Sequence, residues 1–380
     1  MKINKAVFLF GIVLSFAIDL NSIFHPIHRA LSAAPPEAWQ TSSDTPALQN
    51  SPSAIQAQSV LSTTLSFVGQ FTTTYVLDIN IIDHFAYLPG WQDASIQIVD
   101  ISNPAKPTRI GEYETNGIVG GMYIDENIAY VADRNSLLIL DVSNPISPSL
   151  VTSDTQITNP FIYNVHVADD IAFVANGYES GRTYLFDVTD PGHPILIASR
   201  WPNFGTMNVV GRTAFLTFAG NDTGGLMIWD ITDPKNINTI GSYQTYYASG
   251  GALKVSGPLA GFGFDFSDKV ENYYTLTLLD VNTPSQPWLF RQYWEKIDAI
   301  DATGRIFVIG MQDQTTFTGR IQLLEVINQD DTPILDSIDI PWRINRIKVK
   351  GNLVYVAAGD GGLLIYRINF PYMLYFPILK

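Results

Sequence analysis

A short string containing Asp recurs seven times along the chain and limits the folds available to it. Four copies are close to one another: IQIVDISNP (Ile96–Pro104), LLILDVSNP (Leu137–Pro145), TYLFDVTDP (Thr183–Pro191) and LMIWDITDP (Leu226–Pro234). LTLLDVNTP (Leu276–Pro284) has one change, and IQLLEVINQ (Ile321–Gln329) and LLIYRINFP (Leu363–Pro371) are degenerate copies. The aligned Asp, Glu or Arg residues are 41, 46, 43, 50, 45 and 42 residues apart. A repeat of this length is typical of a four-stranded propeller blade.

Two further strings complete each repeat. One precedes the Asp string, as in FAYLP from Phe85 and IAYVAD from Ile128, and the other follows it, most clearly as IGEY (Ile110–Tyr113). Both are rich in Val, Ile, Phe and Tyr, and turn residues bound them, so each predicts a strand. No extended helical periodicity occurs outside the N-terminal region. The sequence therefore predicts an all-β, seven-bladed propeller of four-stranded antiparallel blades. Each repeat is read as strand A, strand B, a Gly/Asp-rich loop, strand C, a Pro turn and strand D.

The ends of the repeat array predict how the ring closes. VGQF (Val68–Phe71) matches IGEY but precedes the first A strand, and the last repeat, Arg343 to Ile368, supplies only strands A, B and C. We therefore expect the N-terminal strand to act as strand D of the seventh blade, which would also cover an exposed edge. The alternative is that Tyr372–Leu379 fills this position.

The N-terminal region predicts export. Lys2 and Lys5 precede twelve mostly apolar residues, Ala6 to Ala17, and small residues at 30–34 offer a cleavage site. Residues 1–34 are therefore predicted to be a signal peptide, with an uncleaved anchor as the alternative, and the protein to be secreted or cell-surface. Residues 35–58 are rich in Pro, Ser, Thr, Ala and Gln and predict a flexible tether. The propeller is assigned to 59–369, and 370–380 form an apolar C-terminal tail.

Composition excludes several classes of function. With no cysteine, the chain has no disulfide, thiolate metal site or thiol nucleophile. Thirty-six acidic against 22 basic residues give a net charge of −14, so nucleic acid is excluded as a partner. No membrane span is expected in the mature chain, which is expected to be a monomer. Neither a G-x-S-x-G elbow nor a P-loop occurs.

The repeat resembles a known family. A hydrophobic strand followed by Asp-Ile/Val-Ser/Thr-Asn/Asp-Pro, and preceded by Ala-Tyr/Phe-Val-Ala, is similar to the LVIVD-repeat family of bacterial exported β-propellers. The resemblance covers Ser59 to Ile368 and implies the propeller architecture and a surface or interaction role, but no particular ligand. Glu325, Arg367 and the missing Pro near Gln329 depart from the family pattern.

Acidic residues recur at two places in each repeat. The Asp of the repeated string is interpreted as a turn residue, because its carboxylate can accept backbone N–H bonds in the turn that follows. The B–C loops also carry acids, but none matches the D-x-[DN]-x-[DN]-G calcium pattern, so we expect neither a metal nor another cofactor. These loop acids are Asp93, Asp133, Glu179, Asp222, Asp265, Asp268, Glu271, Asp313 and Asp360.

The A strands contain the candidate ligand-binding residues. Each has an apolar-X-apolar triplet, and because innermost strands lie beside the central channel, the X side chains are expected to line it near its mouth. X is polar in six of the seven strands: Asn80, Tyr123, His166, Asn208, Lys254 and Lys348, with Ile300 in the remaining one. His166, Lys254 and Lys348 would supply cationic contacts for an anionic or polar small molecule. The alternative is that these groups satisfy one another and channel water.

Aromatic residues in predicted loops and strand ends offer a second binding surface, suited to carbohydrate stacking or a protein partner. Packing between blades is the alternative for the same residues. They are Trp91, Tyr178, Phe204, Tyr246, Tyr247, Tyr273, Tyr274 and Trp294.

These observations lead to competing hypotheses. The first is a non-catalytic, exported propeller that acts at the cell surface or outside the cell and binds a protein, glycan or small polar ligand on its loop rim, with no catalytic residue assigned. The second is a propeller hydrolase or lyase working at the channel mouth near His166 and Lys254. A purely structural role in an envelope layer is the third.

Overall fold

The fold is a ring of seven antiparallel sheets, each of four strands. The computed structural model describes residues 62–90, 94–134, 136–154, 156–157, 161–177, 181–219, 223–246, 248–267, 272–313 and 315–371. The predicted signal peptide, the tether and Tyr372–Leu379 lie outside the described residues. The all-β propeller and its seven blades are confirmed. No helix in the described part of the chain is long and apolar enough to span a membrane.

The strands follow the predicted order in every repeat. The N-terminal strand is β1 (Thr64–Phe71). The strands of the first three blades are β2 (Asn80–Ile82), β3 (Phe85–Pro89), β4 (Ser95–Asp100), β5 (Thr108–Glu114), β6 (Gly121–Asp125), β7 (Ile128–Ala132), β8 (Leu137–Asp141), β9 (Ser149–Asp154), β10 (Ile162–Ala168), β11 (Ile171–Asn176), β12 (Arg182–Asp187) and β13 (Ile195–Arg200). Those of blades 4 and 5 are β14 (Met207–Val210), β15 (Thr213–Ala219), β16 (Thr223–Asp230), β17 (Asn238–Tyr246), β18 (Ala248–Ser256), β19 (Leu259–Ser267), β20 (Asn272–Asp280) and β21 (Trp288–Tyr293). Those of blades 6 and 7 are β22 (Ala299–Thr303), β23 (Ile306–Gln312), β24 (Gly319–Glu325), β25 (Ile334–Ile340), β26 (Arg346–Lys350), β27 (Leu353–Ala357) and β28 (Leu363–Asn369).

The two middle strands of a blade are buried on both faces. In blade 2, β7 and β8 have almost no exposed side chain, whereas the outer strand β9 is mostly half-buried or exposed. This explains the continuous apolar runs of the B and C strings, because a strand covered on both faces loses the alternation of polar and apolar residues.

The hydrophobic core lies between neighbouring blades. The buried apolar side chains form seven clusters, one for each seam of the ring. Between blades 2 and 3, for example, Ile139 of β8 packs with Val165 of β10 and Val174 of β11. A blade therefore buries both of its faces only when it has a neighbour on each side.

The N-terminal strand β1 belongs to the seventh blade. It pairs antiparallel with β28, from Thr64 opposite Asn369 to Phe71 opposite Leu363, and is the outermost strand of the sheet that contains β26 and β27. Its Leu65 N–H also donates to the Asp336 carboxylate of blade 6 at 2.6 Å. This is the position expected of a closing strand, and closure of the ring by β1 stays a prediction, tested below.

The glycine of the IGEY string is required by contact with the next blade. A β-carbon on Gly111 of β5 would collide with the carbonyl oxygen of Pro145, in the Pro turn of blade 2. The same relation joins Gly241 to Pro284 and Gly69 of β1 to Pro104. The lack of a side chain at this glycine thus lets the Pro turn of the next blade approach closely. Gly69 in the VGQF string of β1 makes the same contact with the Pro turn of blade 1.

The repeated Asp acts as predicted, as a turn residue. The Asp100 carboxylate accepts the backbone N–H of Ser102 at 2.8 Å, and that of Asp141 accepts the N–H of Ser143 at the same distance. These hydrogen bonds lower the pKa of both carboxyl groups. Three further copies make the same contact: Asp187, Asp230 and Asp280.

Candidate functional site in the central channel

The innermost strands of the ring enclose a central cavity of about 430 Å³. Its walls come from all seven blades, since strand A of each blade contributes at least one residue. The six residues predicted from the A strands all line this cavity, together with Ile300: Asn80, Tyr123, His166, Asn208, Lys254 and Lys348. The structure therefore brings the predicted residues together, while their role in ligand binding stays a prediction.

The asparagines of the ring link neighbouring blades. The Asn80 Nδ2 donates to the Met122 carbonyl of blade 2 at 3.0 Å, and the Asn208 Oδ1 accepts the Val255 N–H of blade 5 at 2.8 Å. These amides bridge strands that share no ladder of hydrogen bonds. Through these bonds Asn80 and Asn208 are satisfied by backbone groups of the neighbouring blades and not by other X side chains. The alternative interpretation, in which the channel groups satisfy one another and channel water, stays a prediction.

Two ion pairs lie in the wall of the cavity. The Lys254 Nζ lies 2.7 Å from the Asp301 Oδ1, and the Arg346 Nε donates to the Asp78 Oδ1 at 2.8 Å. The carboxylate side chains are 8% and 7% exposed, so both acids are largely removed from solvent. Asp301 also accepts the Val349 N–H at 2.7 Å and thereby links blades 5, 6 and 7.

The remaining basic residue, Lys348, has no ion pair or hydrogen bond from its amino group to any described residue. Burial lowers its pKa from the ordinary value of a lysine, and the charges of Arg346 and Lys254 act in the same direction. Asp78 and Asp301 oppose this shift but are already engaged by their own cations. The cavity thus contains an amino group whose charged form is poorly stabilised by the protein.

His166 lies against Tyr123, with ring centroids 4.3 Å apart and planes inclined at 56°. Burial and the nearby Lys348 charge lower the pKa of the imidazole to about 3. His166 is therefore neutral at pH 7 and offers one donor and one acceptor nitrogen. Burial, with Asp125 adding to it, raises the pKa of Tyr123, so its hydroxyl stays protonated.

The His166 shift predicts a pH dependence of folding. Between pH 6.5 and about 3 the unfolded chain binds a proton that folded His166 does not accept, so the free energy of unfolding falls as the pH falls through this range. The expected contribution over the whole range is at most about 5 kcal/mol, of which roughly half falls between pH 7 and 4.5, and His166→Gln should remove it. Chemical denaturation at pH 4.5 and 7 would measure the difference. His193→Gln is the control, since that side chain is 86% exposed; an equal pH dependence in wild type and His166→Gln would contradict the prediction.

A second cavity of about 290 Å³ shares three residues with the first: Asn80, Tyr123 and Lys348. Its other lining residues include Ile82 and Lys350, at the ends of β2 and β26. Lys348 therefore contacts both spaces, at the point where they meet along the channel.

Sequence reasoning missed the acids of the site. Asp78 precedes the first A strand, and Asp301 occupies a position that is apolar in the aligned strands, as at Val255 and Val349. The one signal in the sequence that could have identified Asp301 was a carboxylate at a position that is apolar in the aligned strands. Arg346 and Asn164, two residues before the X position, were also missed, and Asn164 donates to the Gly205 carbonyl at 2.6 Å.

The predicted aromatic surface is only partly described. Phe204 was assigned to it wrongly: its side chain is fully buried between blades 3 and 4, so the packing alternative applies to this residue. Trp294 is 68% exposed, as a surface residue should be. The other six of these side chains lie outside what the structure describes. Among the described residues, no group of three or more His, Asp or Glu side chains is arranged to hold a metal ion.

The repeats match a known family model. The model described as the LVIVD repeat matches residues 74–115, 116–155, 217–245 and 344–368, which fall in blades 1, 2, 4 and 7. The chain carries LVIVD repeats. The match in blade 7 shows that this LVIVD repeat keeps the family pattern although Arg367 replaces the repeated Asp.

Solved structures similar to this LVIVD propeller share its fold. The hydrazine synthase of Kuenenia stuttgartiensis aligns with a TM-score of 0.60 at 13% identity, over 83% of this chain and 99% of that chain. The WD40 β-propeller domain of Doa1 gives 0.56 at 13% identity, over 80% and 97%. The computationally designed Ika8 protein gives 0.55 at 12% identity, over 80% and 99%. Identities this low show the fold alone. No curated protein matches the sequence.

Proposed function

We propose that this LVIVD propeller is an exported, non-catalytic binding module that holds a small polar ligand in its central cavity. The observation that carries the proposal is the convergence of six polar side chains, from six different blades, on one cavity of about 430 Å³. This volume lies in the range of pockets that enclose small molecules, and a few convergent polar groups are what fix a ligand's orientation.

The state of the basic groups supports binding rather than catalysis. An imidazole with a pKa of about 3 is a weak general base at neutral pH, because efficient bases have pKa values near the working pH. Lys254, the second residue of the catalytic hypothesis, is engaged by Asp301 at 2.7 Å. One observation favours the rival hydrolase or lyase, namely that His166, Lys254 and Lys348 line the same cavity. Turnover of a bound ligand that is lost in His166→Gln would establish the rival function.

The experiment that tests the binding proposal compares a variant whose cavity is partly filled by a larger side chain with a variant whose cavity is unchanged. Ala168 lines the cavity, and Ala168→Phe should occupy part of it, whereas Ile146→Phe adds a similar ring to a side chain that is 65% exposed in the Pro turn of blade 2. Saturation-transfer NMR with a library of sugars, amino acids, small carboxylates and their amides would detect binding. We expect binding to wild type and Ile146→Phe and at least about a tenfold loss in Ala168→Phe. Equal binding by both variants, or none by wild type, would overturn the proposal.

Export rests on the N-terminal sequence and has its own test. Residues 1–34 fused to a reporter enzyme that lacks a signal should carry the reporter out of the cytoplasm of a bacterial host. Replacing the apolar residues Leu9 and Leu14 with Asp in the fusion should retain the reporter inside. A reporter that stays in the cytoplasm in both fusions would contradict export.

A further inference from the structure

The charges around Lys348 do not cancel. Three basic side chains, Lys254, Arg346 and Lys348, act on this part of the cavity together with two acidic ones, Asp78 and Asp301. Each acid is within 2.8 Å of a basic group other than Lys348. When Lys348 is protonated, one positive charge is therefore left without a counter-ion from the described residues, in a place where solvation is reduced.

The two other acids that line the cavity, Asp125 and Asp169, have charged neighbours of their own. Asp125 has Glu126 and Asp170 as its charged neighbours, and these raise its pKa together with burial. Asp169 lies 3.8 Å from Arg212. The acids that act most strongly on Lys348 are Asp78 and Asp301, each of which already has a basic partner of its own.

We propose that the central cavity binds a small organic acid with a single carboxylate, and that Lys348 forms the ion pair with it. This inference rests on the proposed function and names the ligand class of that site. One carboxylate supplies the missing charge, and its binding favours the protonated form of Lys348. A dianion such as hydrogen phosphate would place its second charge near the Asp78 and Asp301 carboxylates, which repel it.

Neutral donors next to Lys348 suit the same ligand. The neutral imidazole of His166 and the protonated hydroxyl of Tyr123 line the cavity together with the lysine, and each can donate to a carboxylate oxygen. The His166 imidazole is close enough to Lys348 for the lysine charge to lower its pKa. A protonated Lys348 would repel a cation beside it, and a neutral ligand would leave its charge without a partner.

The test compares acids with amides of the same shape. Acetate, lactate and benzoate are titrated by calorimetry or NMR against acetamide, lactamide and benzamide, with inorganic phosphate as a separate arm. The variants are Lys348→Met, Lys348→Arg, which keeps the charge, and Lys106→Met, a control at an exposed lysine in the Pro turn of blade 1. Thermal unfolding of each variant verifies that it folds.

We expect at least one acid to bind about tenfold more tightly than its amide, as a charge-assisted hydrogen bond predicts. The preference should disappear in Lys348→Met and persist in Lys348→Arg and Lys106→Met. Acids and amides that bind equally well, with no effect of Lys348→Met, would overturn the inference and leave the proposed function standing. Phosphate that binds more tightly than every acid would also overturn it. No binding of any acid or amide to the wild-type protein, or binding that Ala168→Phe leaves unchanged, would instead remove the proposed function.

Discussion

A chain that begins at Thr74 is expected to lose the cooperative unfolding of the propeller, whereas one that begins at Ser62 should keep it. The difference is β1, which supplies the outer strand of blade 7 and pairs along β28. Without it, Ile368 and Leu364 lose their cover in the seam between blades 6 and 7, and the contact of Gly69 with the Pro104 turn of blade 1 is removed. Removing one strand of a closed ring also exposes an edge that associates with other chains.

The measurement is thermal and chemical unfolding of both truncated chains, followed by circular dichroism and by size-exclusion chromatography. The longer chain should unfold in one transition, and the shorter one should show a broad transition or aggregate. If the two chains unfold at the same midpoint with the same steepness and stay equally soluble, β1 does not close the ring.

The second large effect is expected at Asp301. Asp301→Ala leaves Lys254 without its partner and removes the acceptor of the Val349 N–H, so it should lower the free energy of unfolding by about 3–5 kcal/mol, as breaking a buried ion pair does. The matched control is Asp339→Ala in the same blade. Asp339 pairs with Arg320 at 2.6 Å, but both side chains are more than half exposed, so little change is expected.

A double variant separates the charge from the hydrogen bonds. Lys254→Met in the Asp301→Ala background removes the unpaired cation and should recover part of the lost stability, while the loss due to the Val349 N–H remains. Urea denaturation of the wild type and the three variants gives the values. An Asp301→Ala effect no larger than that of Asp339→Ala would show that the buried pair does not stabilise the ring.

The sequence predicts the architecture because each repeat has the same pattern of strand-forming and turn-forming residues. Strings such as IAYVAD and LLILDVSNP give strand, turn and period together, and their repetition removes the ambiguity that any single copy has. Aligning the A strands also predicted the channel residues. Each A strand contributes one X position, and the seven X positions together form a ring around the channel. His166 and Lys348, 182 positions apart in the chain, were placed in one cavity by this reasoning alone.

What the sequence could not supply is contact between repeats. The IGEY glycine is visible as a motif, but the approach of the next blade's Pro turn, which explains it at Gly111, exists only in the ring. Asp301 stands at a position that is apolar in the aligned strands, but the sequence does not indicate that Lys254 is its partner. Phe204 reads as a loop aromatic because its neighbours are loop residues, and its burial depends on the adjacent blade. These are properties of the seams, where two distant parts of the chain meet.

The methionine methyl groups provide the most direct test that the central cavity is the ligand site. The chain has six methionines; Met122 and Met207 line the cavity, whereas Met227 and Met311 are not among its lining residues. Benzoate and benzamide would be titrated into protein carrying ¹³C-labelled methionine methyl groups. Binding in the cavity predicts shifts of the Met122 and Met207 signals, while those of Met227 and Met311 stay in place. Shifts confined to the other methionines, or binding without any shift of Met122 and Met207, would contradict a ligand site in the central cavity.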